Sequence, residues 1–251
     1  MTIMIDSFPS CNDLHLGDYA VVTVDVIRAS TTAVTAVAAG RRCFPVTCVE
    51  AAFQMRHKLP DCLLAGEIGG LQPKGFDLNN SPAKLDVRSD KRPVVLLSSS
   101  GTKLMEESGA SARAAFVACL RNYKAVAAHI AGRYERIAVL GAATRGEFRE
   151  EDQFCCARIA AELIRLGHQP EDQKTLDLLY QSRASSVLVC AEGNSAAYLR
   201  RSGQVDDLNF ILSHVNDVPM AFQIADGEII PVAVVGETDH DQPAAPDRVA
   251  A

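Results

Sequence analysis

The stretch Tyr19-Ala-Val-Val-Thr-Val-Asp-Val26, followed by Ile27-Arg-Ala-Ser-Thr-Thr-Ala-Val-Thr-Ala-Val-Ala-Ala-Gly40, decides the fold class. The first part is apolar and rich in β-branched residues, which predicts a buried strand over 19–26. A short polar turn follows it. The second part predicts a helix over 31–39 that ends at Gly40. Strand, turn and helix in this order are the building unit of α/β proteins.

The rest of the chain repeats this alternation of short apolar runs and helical patterns. We expect strands at 43–47, 62–65, 93–98, 114–118 and 136–140, and helices at 50–59, from 102 onwards, at 124–131 and at 152–166. In the last third, helices are expected at 174–181, 195–201 and 207–215. Strands 220–225 and 228–235 flank Asp226-Gly227, a strong two-residue hairpin signal. The pattern predicts an α/β fold in which helices cover a parallel or mixed sheet.

The domain organisation follows from the same pattern. Residues 1–235 are expected to form a single domain, and two similar, closely packed halves of about 1–120 and 121–235 stay open as an alternative. The Pro-, Ala- and Asp-rich tail 236–251 is expected to be disordered.

Composition excludes several classes of protein. Of the 251 residues, 48% are hydrophobic and 22% charged, and no run approaches the roughly 18 apolar residues of a membrane helix. The net charge of −6 disfavours nucleic acid or an anionic membrane as a partner. The N-terminus lacks a basic stretch followed by an apolar core, and the 8 cysteines form no C-x-x-C pair. We therefore expect a cytoplasmic protein with reduced thiols. We also expect a homodimer, because two-fold dimers are the commonest oligomers.

Four polar segments each follow a predicted strand, namely 25–32, 66–70, 98–102 and 141–147. Ligands in open α/β sheets bind at the carboxyl ends of strands, so these segments would converge on one edge if the strands are parallel. The polar loop 71–82 has a length at which loops tend to be functional. Acidic groups, arginines, hydroxyls and backbone N–H groups together suit Mg²⁺-assisted phosphoryl transfer to water.

Each segment also has a purely structural interpretation. The hydroxyls after Asp25 could cap the following helix, although Arg28 adds a cation that a cap does not need. The turn Ser98 to Thr102 could be an ordinary strand-to-helix connection or an anion cradle. Glu67 could be a solvent-exposed acid or a metal ligand. The acidic run 147–152 could simply be a helix start favoured by the helix dipole.

Four blocks of sequence resemble the 2-phosphosulfolactate phosphatase (ComB-like) family. They are VDVIRASTT (24–32), LAGEIGG with KGFDLNNSP (64–70 and 74–82), LSSSGT (97–102) and GEFREEDQFCCARI (146–159). The resemblance covers roughly residues 18–235. It implies an α/β/α fold and a Mg²⁺-dependent phosphatase that converts 2-phosphosulfolactate to sulfolactate on the route to coenzyme M.

The strand-end positions and the resemblance together predict three groups of site residues. The catalytic group is Asp25, Arg28 and Ser30, and the metal group is Glu67, Glu151 and Asp152. The substrate-binding group is Thr31, Thr32, Asn80, Ser81, Ser100, Gly101, Thr102 and Arg145. Attack on phosphorus by metal-bound water is favoured, and attack by a side chain, Asp25 or Ser30, is the alternative.

The chain departs from the family pattern at several positions, among them Ile68, where the family commonly has arginine, and Ser100, where it has asparagine. The predicted substrate is accordingly a small anionic phosphate ester, with 2-phosphosulfolactate the first candidate. Two alternatives remain: a non-catalytic anion or metabolite-binding protein on the same fold, and a different hydrolase or lyase using the same cleft.

Overall fold

Strand β2, Ala20–Val24, lies inside a ten-stranded sheet in the computed structural model, which describes residues 1–8, 15–143 and 146–232. The other strands are β1 Thr2–Ser7, β3 Cys43–Val46, β4 Leu63–Gly66, β5 Val94–Leu97, β6 Ala114–Ala118, β7 Arg136–Gly141, β8 Gln169–Pro170, β9 Ala221–Ala225 and β10 Glu228–Val232. The helices are α1 Ala29–Ala38, α2 Val49–Lys58, α3 Pro82–Asp86, α4 Gly101–Ser111, α5 Tyr123–Ile130, α6 Glu150–Arg165, α7 Gln173–Ser182, α8 Val189–Glu192, α9 Asn194–Arg201 and α10 Val205–Ser213.

The sheet has the order β4-β5-β3-β10-β9-β6-β2-β7-β1-β8. Strands β6, β2, β7, β1 and β8 are mutually parallel and form what we call the five-stranded block. Strands β3, β5 and β4 are also mutually parallel and form the three-stranded block. The hairpin β9–β10 joins the two blocks through antiparallel pairings with β6 and β3. The sheet is therefore mixed.

The hairpin reverses the direction of the second block relative to the first. Passing from β6 through β9 and β10 to β3 crosses an antiparallel pairing at every step, so β3 runs opposite to β6. The strands are thus not all parallel. The prediction that the four polar segments converge because they follow parallel strands is therefore wrong in that form. The hairpin itself was predicted, since Asp226 and Gly227 have φ values of 49° and 75°, as a tight two-residue turn requires.

Helices cover both faces of the five-stranded block. Ile3 and Ile5 of β1 belong to a core cluster with α5 and α6, whereas Met4 between them packs in a cluster with Leu104 of α4 on the opposite face. Because successive strand side chains point to opposite faces, a strand buried on both sides is apolar without interruption. This arrangement confirms the three layers.

The three-stranded block is covered in the same way. Val94 and Leu96 of β5 pack in one cluster with α1, and Val95 and Leu97 pack in another with α2. The N-terminus of α1 follows β2 of the other block, so α1 spans the region between the blocks. This places the turn after β2 beside the ends of β4 and β5.

Several predicted features differ in the structure. Strand β1 and the short elements α3, α8 and β8 were not predicted, because β1 lies at the chain start and the others are too short for a periodic signal.

Of the seven described cysteines none forms a disulfide, and Cys48 alone is exposed. Across the described ranges no helix is long and apolar enough to cross a membrane. The predicted tail 236–251 lies outside the described residues.

Candidate active site

Asp25 lies directly after β2 with its side chain buried. The backbone N–H of Ala29 donates to Asp25 Oδ1 at 3.1 Å. The backbone N–H of Asp25 donates to Ser30 Oγ at 3.0 Å. The carboxylate is therefore fixed at the N-terminus of α1, and within the described part of the chain Oδ2 accepts no hydrogen bond.

Gly101, the first residue of α4, closes over Asp25. A Cβ atom at this position would overlap Asp25 Oδ2 and would lie 2.7 Å from the Ala29 Cβ. Glycine is needed here because no side chain fits between the two helix starts. The close approach puts the N-terminus of α4 against the carboxylate.

The turn before α4 is held by reciprocal hydrogen bonds. Thr102 N–H donates to Ser98 Oγ at 2.9 Å, and Ser98 N–H donates to Thr102 Oγ1 at 3.0 Å. Ser100 is the N-cap residue but its side chain makes no capping bond. These bonds fix the local conformation of the turn, and the close approach of Gly101 places it beside Asp25.

Helix α6 contributes two buried carboxylates, Glu151 and Asp152. The backbone N–H of Val26 donates to Asp152 Oδ1 at 2.7 Å, which joins α6 to the turn after β2. Glu151 Oε2 is buried and has no hydrogen-bond partner. The acidic helix start is therefore not a solvated face, because two of its acids point into the protein.

Burial and mutual repulsion disfavour ionisation of these carboxylates. Burial, together with the negative charges of Glu67 and Glu151, raises the pKa of Asp25 to about 7, although the Ala29 N–H and Arg28 act in the opposite direction. Burial also raises the pKa of Glu151, and it raises that of Asp152 well above the usual range, with added repulsion from Glu151 and Asp25. These carboxyl groups therefore hold their protons more strongly than exposed carboxyl groups do.

Glu67 follows β4 and connects two loops. Its Oε1 accepts the backbone N–H of Ser99 at 2.7 Å, and its Oε2 accepts the Ser99 hydroxyl at 2.9 Å and the Gly70 N–H at 2.6 Å. Among the described residues no group of three or more His, Cys, Asp or Glu side chains is arranged to hold a metal ion. The predicted metal group Glu67, Glu151 and Asp152 is thus not brought together as one ligand set, because the Glu67 carboxylate is turned toward its own loops.

Arg28 is buried and forms an ion pair with Asp207 of α10 at 2.6 Å. The same nitrogen, Nη1, donates to Gln204 Oε1 at 2.6 Å, and Nη2 donates to Asn79 Oδ1 at 3.4 Å. Ser81 Oγ donates to Asp207 Oδ1 at 2.6 Å. Sequence reasoning missed Asp207 and Gln204, since both lie in an ordinary amphipathic helix start.

Of the remaining predicted residues, Ser30, Thr31 and Thr32 lie in the first turn of α1, and Asn80 lies just before α3. Ser30 and Thr31 are buried. The Ser30 hydroxyl accepts the Asp25 backbone N–H and lies 3.5 Å from the Thr23 carbonyl oxygen of β2, and the Thr31 hydroxyl donates to the Val26 carbonyl oxygen at 2.7 Å. Thr32 Oγ1 and Asn80 Oδ1 are buried without a partner. Arg145 lies outside the described residues.

The site can do two things chemically. Helices α1, α4 and α6 all begin around Asp25, and the partial positive charge at a helix N-terminus favours an anion. The carboxylates supply hard oxygen donors and a proton acceptor beside that anion. The arrangement can therefore support anion binding and proton transfer at the same place.

Comparison with known proteins agrees with this chemistry. A family model described as 2-phosphosulpholactate phosphatase matches residues 9–233, a range that contains every site residue. A relative from Deinococcus radiodurans named probable 2-phosphosulfolactate phosphatase is 35% identical over 240 residues, covering 94% of this chain and 95% of the relative. A protein of the same name from Thermus thermophilus is 32% identical, covering 84% and 86%. The 2-phosphosulfolactate phosphatase of Methanothermobacter thermautotrophicus is 32% identical, covering 76% and 80%.

Proposed function

The chain belongs to the 2-phosphosulfolactate phosphatase family, and on that premise we propose that it hydrolyses 2-phosphosulfolactate to sulfolactate and phosphate. The observation that carries the proposal is the family match over residues 9–233, because it includes the carboxylates around Asp25 and the loops that approach them. The substrate is a small phosphate monoester with further anionic groups. A protein with a net charge of −6 must bind it through local positive charge.

We propose Mg²⁺ as the source of part of that charge. Mg²⁺ prefers oxygen ligands and is usually held by one or two carboxylates together with water and substrate phosphate. Glu151 and Asp152 fit this requirement, since Glu151 Oε2 is buried without a partner and burial raises the pKa of both groups. When bound, the ion would offset the negative charge of the phosphate oxygens.

The chain's own residues bind the ester and move a proton. The N-termini of α1 and α4 and the Arg28 guanidinium receive anionic oxygens. Asp25 Oδ2, which accepts no hydrogen bond from any described residue, takes a proton from the attacking water. As the phosphorus–oxygen bond to sulfolactate breaks, this proton passes to the leaving oxygen, so that phosphate and sulfolactate are released.

A panel of esters tests the proposal. Phosphate release is measured from 2-phosphosulfolactate, phospholactate and p-nitrophenyl phosphate, with Mg²⁺ and with excess EDTA. We expect the highest kcat/KM for 2-phosphosulfolactate, loss of turnover in EDTA and recovery on adding Mg²⁺. Undiminished turnover in EDTA would remove the metal from the mechanism. Binding without turnover of any ester would favour the alternative of a non-catalytic anion-binding protein.

We further propose that the protein acts in the cytoplasm as a homodimer. Free, mostly buried cysteines suit a reducing compartment. Light scattering after size-exclusion chromatography measures the mass, and a value near 26.9 kDa would show a monomer instead.

A further inference from the structure

We infer that Asp207 is a positioning residue of this site, which holds the guanidinium of Arg28 in the orientation that receives an anionic group of the substrate. The inference rests on the proposed function, since it assumes that the substrate is a phosphate ester. Asp207 comes from α10, far along the chain from the strand ends that supply the other groups.

The ion pair between Arg28 and Asp207 is short and shielded from solvent. The side chains of Arg28 and Asp207 are 3% and 4% exposed. Nη1 of Arg28 donates to Asp207 Oδ2 and to Gln204 Oε1, both at 2.6 Å, so both of its N–H groups are engaged. A buried ion pair of this kind fixes geometry, because moving either group leaves an uncompensated charge in the protein.

The opposite edge of the same guanidinium is free of any described carboxylate. Three other arginines use Nε and Nη2 together to hold a carboxylate: Arg42 with Glu228, Arg88 with Asp90 and Arg121 with Asp217. In Arg28 the Nε–H donates to no described residue, and Nη2 makes only the 3.4 Å bond to Asn79. The fork that elsewhere holds a carboxylate is left for an oxyanion.

Asp207 is itself held from the other side. Its Oδ1 accepts the Ser81 hydroxyl at 2.6 Å and the Ala83 N–H at 3.1 Å, at the start of α3. The two carboxylate oxygens thus have separate partners, because Oδ1 binds α3 and Oδ2 binds Arg28. A change confined to Oδ2 would act on Arg28 alone.

Asp207→Asn makes that change. The amide oxygen can still accept from Ser81 and Ala83, while its NH2 group is set against Arg28 Nη1 and releases the guanidinium. We expect the Kd for inorganic phosphate, measured by calorimetry with Mg²⁺ present, to rise about tenfold. We expect KM for the ester to rise about as much, with kcat falling less than about threefold. Asp217→Asn is the matched control, since it breaks the Arg121 pair outside the site and should change neither value.

A double-mutant cycle shows whether the effect passes through Arg28. In an Arg28→Gln background, Asp207→Asn should cause no further loss of phosphate affinity. An equal loss in both backgrounds would overturn the inference, as would phosphate affinity and KM in Asp207→Asn that match the parent. Should Asp207→Asn fail to fold, Gln204→Met removes the second Nη1 acceptor and should weaken phosphate binding about threefold.

The proposed function can fail separately. A parent that binds phosphate but hydrolyses no ester would reject the phosphatase proposal, and the affinity ratios would still test Asp207. A parent that binds no phosphate would overturn the inference, because Arg28 would then have no anion to receive.

Discussion

Asp25 combines two opposing requirements in one side chain. A hydrogen bond from the Ala29 N–H at the start of α1 holds the carboxylate in place, whereas burial and the charges of Glu67 and Glu151 disfavour its ionised form. A pKa shifted by opposing effects of this kind is common in groups that exchange protons during a reaction. It should be measurable as a pH-dependent stability.

We expect Asp25→Asn to raise the melting temperature of the metal-free protein more at about pH 8 than at about pH 5. Burial raises the pKa of Asp25 from 3.8 to about 7, so between these values the folded state holds a proton that the unfolded state has lost. The stability from this proton is fully present below 3.8 and is lost as the pH rises through 7. Asparagine does not ionise and avoids the loss. A gain independent of pH in thermal melts would contradict the assigned pKa.

We expect Asp152→Asn to raise the Mg²⁺ concentration for half-maximal phosphatase activity by about tenfold or more, about 1.4 kcal/mol. The amide oxygen still accepts the Val26 N–H, so the variant removes charge and keeps shape. In metal-free buffer it should melt above the parent, because repulsion from Glu151 and Asp25 is relieved. Mg²⁺ titrations of activity measure the shift, with Asp217→Asn as control. Parental Mg²⁺ dependence in Asp152→Asn would exclude Asp152 from the metal site.

Sequence reasoning could find Asp25, Glu151 and Asp152 because each stands beside a strong strand or helix signal. It could not find Asp207, since the ion pair with Arg28 joins positions 179 residues apart and neither position has a local pattern that names the other. In the structure the Glu67 carboxylate accepts backbone N–H groups, and the sequence around a carboxylate beside glycines is the same whether it binds an ion or such groups. Long-range side-chain partners are decided by packing.

At the scale of elements, most strands and helices agree with the sequence to within a residue or two. Strand β6 has the predicted limits, β5 is one residue shorter than predicted at each end, and α5 is shifted by one residue toward the N-terminus. The limits of these elements can be predicted because hydrophobic periodicity and glycine positions are features of the local sequence. The start of α4 is different, because its glycine is required by Asp25, which belongs to another element.

We expect Gly101→Ala to lower both stability and activity. The added Cβ would overlap Asp25 Oδ2 and crowd Ala29, so α4 or the carboxylate must move. Overpacking of this kind costs about 1–3 kcal/mol, and kcat should fall because the helix N-terminus leaves the site. Gly17→Ala is the control, since a Cβ there meets its nearest atom at 3.6 Å. Melting curves and turnover that match those of the control would show that the site tolerates a side chain at Gly101.

At the scale of the molecule, the mixed sheet explains how segments from strands of opposite direction meet. The polar turns after β2, β4 and β5 lie together although β4 and β5 run against β2, because the β9–β10 hairpin joins the two blocks and α1 spans them. Strand pairing between distant segments leaves no periodic trace, so the sequence could indicate a mixed sheet but not its order. The site exists only while both blocks stay joined.

We therefore expect the two blocks to unfold as one unit. Gly227 in the hairpin and Gly132 before β7 have φ values of 75° and 73°, with no atom within 4 Å of an added Cβ. Valine at either position should cost about 1–2 kcal/mol through backbone strain. Hydrogen exchange in β2 and in β5 measures each block separately. If the sheet is one cooperative unit, each variant lowers protection equally in both strands. Lost protection in β2 alone after Gly132→Val would show that the three-stranded block folds independently and that the active site is assembled by docking.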